Sequence, residues 1–453
     1  MSTIGLLGLS GAASAQTTDL VKVAEVSPLP ENIAEVVDVA PVWSGHPVGF
    51  ALLTRGDQQF AAFYDAERHL TIGQRQLGEK SFRLTRLPSQ TGWDSHNSIV
   101  LDADDEGFLH LSGNMHGVPL IYFRGTRPLD ASSLERVPNM TGVLENRVTY
   151  PLFFRGPNRE FLFTYRDGSS GSGNQIYNRY DAKSRTWRRL LDQPLFDGQG
   201  QRNAYPSLPT PGPDGFYHIV WVWRETGDAA TNHDPSYARS RDLVNWENSR
   251  GEPLKLPITL QTGDIVDPVP EKGGVINNNV KLGFDGLKRV IVSYHKYDAA
   301  GNTQIYNARL ENGAWKITQT SDWDTRWNFG GFGTLIFDVR LGGVRHEANG
   351  TLTQTYSSKN HGSGTWILDP QTLKPTGLKA PAPAYPPTIA GVESKWPEMA
   401  VRWSEGVGSS GESGTRYVLR WETLPSNRDR PRPGPLPPPS QLRLYKLQRA
   451  NVP

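Results

Sequence analysis

The chain has 453 residues, a formal net charge of +2 and no cysteine. The missing cysteine excludes disulfides, thiolate metal sites and cysteine nucleophiles, and a near-neutral charge without a basic run argues against a nucleic-acid partner. The 46 glycines, 35 prolines and 13 tryptophans give residues 41–425 a uniform texture of short apolar runs without long helical periodicity. Such a texture favours one large all-β domain.

The first predicted element is a signal peptide over residues 1–15. The apolar stretch Ile4–Leu9 is followed by Ala13-Ser14-Ala15, which is a small-x-small cleavage pattern. We therefore expect a secreted or periplasmic protein, with residues 16–40 as an N-terminal segment. Later in the chain, no stretch approaches the roughly 18 to 20 apolar residues of a membrane span, so we expect no membrane partner.

Two histidines, His96 and His116, lie 20 residues apart, each within a short polar motif. The residues between them read as a strand, a turn at Asp104–Gly107 and a returning strand that carries His110. A hairpin of this kind would bring the two motifs to one end of the sheet. Because the pKa of an unperturbed histidine lies near neutrality, a pair of them at one rim suggests proton transfer. His110 alternates within a strand and is predicted to be buried.

A degenerate repeat runs through the middle of the chain, combining a turn, an alternating strand and a tryptophan. The tryptophans of this repeat are roughly 60 to 70 residues apart, and a long fixed period is typical of a propeller or solenoid. Ser240-x-Asp242-x-x-x-Trp246 resembles the Asp-box turn of sialidase-type propellers, for which we predict a structural role. At about 55 to 60 residues per blade, residues 41–425 predict a single-domain, seven-bladed β-propeller.

Clusters of polar and aromatic residues follow or adjoin the apolar strands along the repeat. In a propeller, equivalent strand ends converge on one face, so we expect the clusters to line one pocket. Arginine can pair bidentately with a carboxylate, and tyrosine or tryptophan can stack on a sugar ring, which predicts recognition of an acidic sugar. The candidate residues in these clusters are Arg147, Tyr150, Tyr165, Arg166, Asn203, Tyr205, Arg224, His233, Arg326 and Trp327.

Other chemistries are weaker alternatives. The chain has no phosphate-binding loop and none of the Gly-x-Ser-x-Gly or His-Glu-x-x-His motifs. A hydrolytic carboxylate pair stays open, although rim acids usually cap loops. The acidic turn Asp102–Asp105 offers oxygen ligands for a structural calcium, and a zinc ion on His96, His110 and His116 is a disfavoured alternative; we expect no required cofactor. The rim acids are Asp94, Asp167, Glu225 and Asp234, and the histidines predicted to lie on the surface are His46, His69, His346 and His361.

The last predicted region, residues 426–453, combines a proline-rich loop with a C-terminal strand. Residues 426–440 contain too many prolines for a sheet or helix. The alternating segment Leu442–Leu447 could pair with Arg416–Trp421 across that loop.

Six motifs in order resemble the BNR-repeat-containing family over roughly residues 40–375. Its characterised relatives look like seven-bladed propeller polysaccharide lyases, including ulvan lyases and rhamnosyl-glucuronate lyases acting on gum arabic side chains. The resemblance implies β-elimination at C4 of a glucuronate linked to rhamnose. The motifs are Asp94–Ser98, Gly113–His116, Arg147–Pro151, Tyr165–Gly171, Asn203–Pro206 and Trp221–Glu225.

Carried onto this chain, the resemblance makes His96 and His116 the paired histidines of such a lyase. Tyr165 or Tyr150 would be the partner acid, and Arg166, Arg224 or Arg326 would hold the uronate carboxylate. The expected partner is an acidic polysaccharide or oligosaccharide that contains glucuronate and rhamnose. Two alternatives stay open on the same fold, namely an α-L-rhamnosidase or other glycoside hydrolase, and a non-catalytic carbohydrate-binding propeller.

Overall fold

The computed structural model describes residues 31–380 and 385–449, and nearly all of its regular structure is β-strand. The predicted all-β class is therefore confirmed. One short α-helix spans Pro387–Ala390, and the 3₁₀ helices are Ala131–Ser133, Pro157–Arg159 and Ala229–Thr231. Within the described ranges, no helix is long and apolar enough to cross a membrane. The predicted signal peptide, residues 1–15, lies outside the described residues.

The two ends of the described chain meet in one antiparallel group, which we call the terminal group. Its first strand pairs with its last from Glu31↔Arg449 to Val42↔Ser440. This first strand begins before the predicted domain boundary at residue 41. The strand that follows the proline-rich loop also pairs with the one preceding the loop, with Leu419 opposite Leu444, as the alternation predicts. The strands of the terminal group are Glu31–Val42, Ala400–Ser409, Thr415–Thr423 and Ser440–Arg449.

The rest of the chain forms successive antiparallel groups in chain order. The first comprises Ala51–Arg55, Gln58–Tyr64, His69–Gln76 and Arg83–Gln90. The second comprises Val100–Ala103, Leu109–Ser112, Tyr122–Gly125 and Leu134–Val137. The third comprises Val148–Arg155, Phe161–Ser169, Ser172–Asp181 and Thr186–Arg189, with the short strand His116–Val118 added at its edge.

The second half of the chain continues the pattern. One group comprises Asn203–Pro206, Thr210–Pro211, Tyr217–Arg224, Asn232–Ser240 and Trp246–Glu247, with the short strands Pro253–Leu254 and Asp264–Ile265 beside it. The next comprises Lys281–Phe284, Val290–Tyr297, Thr303–Glu311 and Ala314–Gln319. The last comprises Val339–Leu341, Arg345–His346, Leu352–Ser358, Gly362–Leu368 and Pro375–Ala380.

Short parallel contacts connect some of these groups. Leu52–Arg55 pairs in parallel with Gly406–Ser409 of the terminal group, so the start and end of the fold are neighbours. Gly173 pairs in parallel with Asn203, which joins two consecutive groups. These contacts bring the first strand of one group beside a strand of another and place several strand ends close together.

The hydrophobic cores lie between the groups. Their position explains why the sequence of a central strand is a continuous run of apolar residues. Tyr217–Arg224 has seven buried residues in its eight, and Trp221 and Trp223 are both fully buried. A strand covered on both faces needs such a run, because neither side meets water. A further cluster packs the first two groups against the terminal group around Phe60 and Phe63. Burying each phenylalanine of this kind contributes about 1.5 to 3 kcal/mol.

The Asp-box has the predicted structural role. The Asp242 carboxylate accepts hydrogen bonds from the backbone amides of Val244 and Asn245, at 2.9 and 2.7 Å. Ser240 Oγ donates to the Asn245 carbonyl, and Trp246 is buried in a core cluster. Each polar group of the motif is therefore used to close the turn.

Candidate functional site

The predicted hairpin brings the two histidines together. Val100–Ala103 pairs with Leu109–Ser112, and beyond that pairing the Asn114 amide donates to the Asn97 carbonyl at 3.4 Å. The His96 and His116 rings stack, with their centroids 4.0 Å apart and their planes at 22°. Their side chains remain 18% and 31% exposed, so a ligand can reach both rings.

One carboxylate connects the two rings. Asp94 Oδ1 lies 2.6 Å from His96 Nδ1, and its Oδ2 lies 2.6 Å from His116 Nδ1. Burial would raise the pKa of Asp94, but hydrogen bonds from His116 and then His96 outweigh it and hold the pKa well below its usual range. Because an ionised carboxylate only accepts, both Nδ1 atoms carry hydrogen. Each neutral ring therefore has its lone pair on Nε2, available to take a proton.

The bridging role of Asp94 is not visible in the sequence, which places it only among the rim acids. The local signal is its position two residues before His96, which lets the carboxylate accept both the backbone amide and the ring Nδ1–H of His96, at 2.9 and 2.6 Å. The second contact, to His116, depends on the hairpin. An aspartate close before one histidine of a pair is thus the pattern that could have indicated it.

A second carboxylate, from the proline-rich loop, fixes the segment that carries His96. Asp429 Oδ1 accepts from the amide and hydroxyl of Ser95, at 3.1 and 2.8 Å. Its Oδ2 accepts from the amide and hydroxyl of Thr334, at 2.7 and 3.0 Å, and lies 3.7 Å from His96 Nδ1. Burial opposes ionisation of Asp429, but contacts from His46 and Ser95 lower its pKa well below the usual range. The loop beyond residue 425 is therefore part of the site's scaffold.

Arg166 is a buried cation at the same end of the fold. Its side chain is hydrogen-bonded to Thr149 Oγ1 at 3.1 Å and to the Tyr205 hydroxyl at 3.3 Å, and its residue is 3% exposed. Among residues 31–380 and 385–449, no carboxylate lies within 4.0 Å of its guanidinium, and its Nε has no hydrogen-bond partner. An unpaired buried charge is costly, so this arrangement is suited to an anionic ligand.

Two tyrosines surround that guanidinium. The Arg166 guanidinium carbon lies 5.0 Å from the Tyr150 ring centroid and 5.9 Å from that of Tyr205. The Tyr150 ring is also 5.5 Å from His96, so it stands between the histidines and the arginine. Tyr150 has a φ of 56°, a backbone conformation that is strained for a bulky residue and recurs at functional sites. Burial, helped by Tyr205, raises the pKa of Tyr150 well above its usual value, so its hydroxyl stays protonated at neutral pH.

A cavity of about 140 Å³ opens beside these residues. Four of the predicted site residues line it, namely Tyr150, Arg166, Asn203 and Tyr205. Asn203 is 1% exposed and its Nδ2 has no hydrogen-bond partner, like Arg166 Nε. The cavity is thus bordered by two buried donors that the described protein does not satisfy.

Comparison with known proteins identifies the family. The sequence profile described as BNR repeat-containing family member matches residues 58–323, which is more than half of the chain. The chain belongs to the BNR repeat-containing family. No curated protein sequence matches it.

Solved structures show what fold this family member has. The crystal structure of polysaccharide lyase Uly1 aligns with a TM-score of 0.61 and 13% identity, covering 92% of this chain and all of that one. An ulvan lyase of family PL25 aligns with a TM-score of 0.58 and 14% identity, covering 92% and 96%. The same kind of lyase bound to -[GlcA(1-4)Rha3S]- aligns with a TM-score of 0.59 and 13% identity, again covering 92% and 96%. At these identities, the likeness shows a shared fold.

Tyr165, predicted as a catalytic residue of this family member, lies away from the histidines. It neighbours Arg166 on the strand Phe161–Ser169, and successive side chains of a strand point to opposite faces. Its ring is fully buried in a core cluster, its hydroxyl donates to the Leu144 carbonyl at 3.1 Å and accepts from Arg189 at 2.9 Å. Burial raises the pKa of Tyr165 to about 12. These contacts indicate a structural role for Tyr165.

Arg224 lies next to Tyr205 of the cavity lining, and His233 is paired with carboxylates. The Arg224 guanidinium carbon is 5.4 Å from the Tyr205 ring, and its Nε donates to the Thr226 carbonyl. His233 is held between Glu225 and Asp234, at 2.8 and 2.9 Å. Burial opposes its protonation, but hydrogen bonds to Asp234 and Glu225 raise the pKa of His233.

The other three predicted binding residues make their contacts outside the histidine pair. Arg326 lies 3.5 Å over the Tyr297 ring, and Trp327 is buried against Phe329. Arg147 is exposed, and its carbonyl accepts from the Gly168 amide.

The histidine pair and its bridging carboxylate carry atoms of the kind that ligate a metal ion. Asp94, His96 and His116 have ligand atoms within 4.8 Å of one another, but both carboxylate oxygens already accept from an imidazole. The histidine of the three-histidine alternative, His110, is instead fully buried, with Nδ1 2.6 Å from the Tyr122 hydroxyl. The arrangement at Asp94 therefore fits proton transfer better than a metal centre.

The acidic turn proposed for calcium is satisfied by the chain itself. Asp104 Oδ1 accepts from the Glu106 and Phe108 amides, at 3.0 and 2.9 Å. Its other oxygen faces His110, and Asp102 faces Arg155 at 3.8 Å. These partners favour a self-stabilised turn over a calcium site.

One of the histidines predicted to lie on the surface is buried. His46 is 1% exposed, packs near Trp43 and Trp93, and has Nε2 3.5 Å from Asp429. The prediction of a surface position for His46 is therefore wrong, because residue 429 comes from the opposite end of the chain and supplies its polar neighbour.

Proposed function

We propose that the protein is a polysaccharide lyase that cleaves a rhamnose–glucuronate linkage by β-elimination at the uronate C4–O bond. The observation that carries this proposal is the juxtaposition of a carboxylate-bridged histidine pair with a buried arginine that lacks an acidic partner. The fold shared with an ulvan lyase whose complex contains -[GlcA(1-4)Rha3S]- supports the same substrate class.

The reaction needs a base, an acid and a cation. The base removes the C5 proton of the uronate, and the electrons of that C–H bond form the C4–C5 double bond as the C4–O bond breaks. The departing O4 then takes a proton. Stabilising the negative charge that develops on the uronate carboxylate is usually the largest contribution to such a rate.

The geometry supports one role for each residue in this proposal. Nε2 of His96 or His116 is the base, because Asp94 holds the hydrogen of each ring on Nδ1. Tyr150 is the acid, because its ring lies between His96 and Arg166 and its hydroxyl, whose pKa is raised by burial, stays protonated at neutral pH. Arg166 holds the carboxylate, with Asn203 as a further donor at the cavity.

The architecture that we propose is a propeller of seven blades, one for each antiparallel group. The pairing of Glu31–Val42 with Ser440–Arg449 would close the ring by joining both chain ends in one blade. We also propose that the protein acts outside the cytoplasm, where such polysaccharides are found.

Ultraviolet absorbance tests the reaction. Incubation with ulvan or with gum arabic is expected to produce the absorbance of a conjugated unsaturated uronate, together with new reducing ends. Saturated rhamnose and glucuronate without that absorbance would instead show a hydrolase. Binding to these polymers without products would show a carbohydrate-binding propeller.

A pair of matched tyrosine variants tests the acid. Tyr150→Phe is expected to lower kcat by about 10²- to 10⁴-fold, the usual contribution of a positioned acid or base, with little change in Tm. Tyr165→Phe removes two hydrogen bonds from a core position, so it is expected to lower Tm, at a cost of about 1 kcal/mol for each bond, and to leave kcat nearly unchanged. The reverse pattern in kcat would assign the acid to Tyr165.

A further inference from the structure

An exposed phenylalanine stands on a glycine-rich loop at the edge of the site. Phe332 is 69% exposed and lies in the segment Gly330-Gly331-Phe332-Gly333. Single exposed apolar residues are common on protein surfaces and by themselves need no explanation. The exposure of Phe332 does need an explanation, because several segments of the chain hold the loop that carries it.

Hydrogen bonds on both sides hold the backbone of this loop. The Gly331 amide donates to Asp228 Oδ1 at 2.6 Å. Arg428 Nη1 donates to the carbonyls of Gly330 and Phe332, at 2.9 and 3.1 Å. Gly333 has a φ of 78°, and a Cβ there would lie 2.6 Å from the Arg428 carbonyl oxygen, so only glycine fits. The backbone of this loop is therefore ordered before a ligand binds, so binding to Phe332 costs little further conformational entropy.

The ring lies between the two halves of the site. Thr334 Oγ1 is 2.5 Å from Ser95 Oγ, the residue before His96. On the other side, the Phe332 ring edge packs on Gly227, where an added Cβ would lie 2.6 Å from Phe332 Cε1. The Gly227 carbonyl in turn accepts a hydrogen bond from Arg224. Phe332 thus connects the loop of the histidines with the loop of the second arginine.

We propose that Phe332 is a stacking subsite for a pyranose ring next to the cleaved linkage. This inference rests on the proposed function, because it takes the substrate to be a polysaccharide that extends beyond the reacting uronate. An aromatic face offers a large apolar area with few rotatable bonds, and the C–H face of a sugar ring is complementary to it. The occupant is a neutral sugar residue of the same chain, because Asp228 and Arg428, the charged residues that contact this loop, are used to hold its backbone.

Kinetics on substrates of different length test the subsite. Phe332→Ala is expected to raise KM for the polymer about three- to tenfold, the size of effect that an aromatic contact supports, with kcat nearly unchanged. On the shortest cleavable oligosaccharide, KM is expected to stay within about twofold, because that ligand does not reach the ring. Phe332→Trp should restore the KM for the polymer. Leu287→Ala, which truncates a 74% exposed side chain on the turn between Lys281–Phe284 and Val290–Tyr297, is the control and should change neither constant.

Binding separates this inference from the proposed function. In the Asp94→Asn background, adding Phe332→Ala should weaken the binding of a glucuronate–rhamnose oligosaccharide by the same factor, measured by titration calorimetry. Elimination with equal KM for all variants would overturn the subsite and leave the lyase intact. An absence of elimination with weakened binding would support the subsite alone. No binding by any variant would overturn both.

Discussion

Asp94→Asn is expected to lower kcat by about 10²- to 10⁴-fold, the range in which a positioned base acts, while the fold is retained. The carboxylate accepts the Nδ1 hydrogens of both histidines. An amide of the same shape has one acceptor and one donor, so it can serve only one ring in the required tautomer. The other ring then either rotates or carries its hydrogen on Nε2. A ring with hydrogen on Nε2 cannot accept the C5 proton at that atom.

The pH profile gives a second readout of the same variant. The lowered pKa of Asp94 keeps this carboxylate ionised throughout the working range, so titration of Asp94 does not shape the kcat/KM profile of the wild type. Asp94→Asn should therefore lower kcat/KM by a similar factor at every working pH. A loss confined to the acidic side of the profile would show that Asp94 acts through its own protonation.

Asp167→Asn is the matched control. Asp167 is also a rim acid, and burial raises its pKa, but it is placed beside Arg147 and not between the histidines. We expect kcat within about twofold of the wild type, as for a surface substitution with no catalytic contact. Loss of activity in Asp167→Asn with retention in Asp94→Asn would contradict the lyase mechanism and favour a hydrolytic carboxylate.

The sequence was sufficient for features that depend on local spacing. The hairpin between His96 and His116 follows from two alternating strands and a turn, and the role of Ser240-x-Asp242-x-x-x-Trp246 follows from its turn chemistry. Strand alternation shows that Tyr165 and Arg166 point to opposite faces, but the choice of Tyr150 over Tyr165 as the acid also depends on which face Arg166 occupies. That face is set only by packing between groups.

Features that depend on distant segments were not predictable from spacing. Asp429 meets Ser95 across 334 positions of the chain, through a loop whose prolines indicate only that it is irregular. Phe332 gives no periodic signal, because it stands on a glycine loop outside any strand. His46 reads as isolated along the chain, yet its carboxylate neighbour is Asp429. All three positions are explained by one contact region, in which the C-terminal loop packs on the segments around residues 95 and 332.

Arg166→Met is expected to abolish measurable elimination while leaving Tm unchanged or higher. Removing the cation that faces a developing carboxylate charge should cost about 10²- to 10³-fold or more in kcat. In the free protein, the same guanidinium is buried with no acidic partner among the described residues, so an uncharged side chain of similar length removes a desolvation penalty. Stability that rises as activity falls is typical of a residue retained for binding and catalysis.

Arg309→Met provides the contrast that makes this result interpretable. Arg309 is equally buried, but its Nη2 lies 2.6 Å from Glu311 and its Nη1 lies 3.7 Å from Asp285. Arg309 also donates to the Pro370 and Gln371 carbonyls, and Arg309→Met leaves both carbonyls without this donor. Asp285 and Glu311 keep Arg289 as a cationic neighbour, so the loss is about 1 to 3 kcal/mol for each unsatisfied group and should lower Tm clearly. Glucuronate-containing oligosaccharides should raise Tm of the wild type and of Arg309→Met, but not of Arg166→Met. Equal destabilisation by both substitutions would show that Arg166 holds the fold together, and the carboxylate would then need another partner, for which Arg224 beside Tyr205 is the nearest candidate.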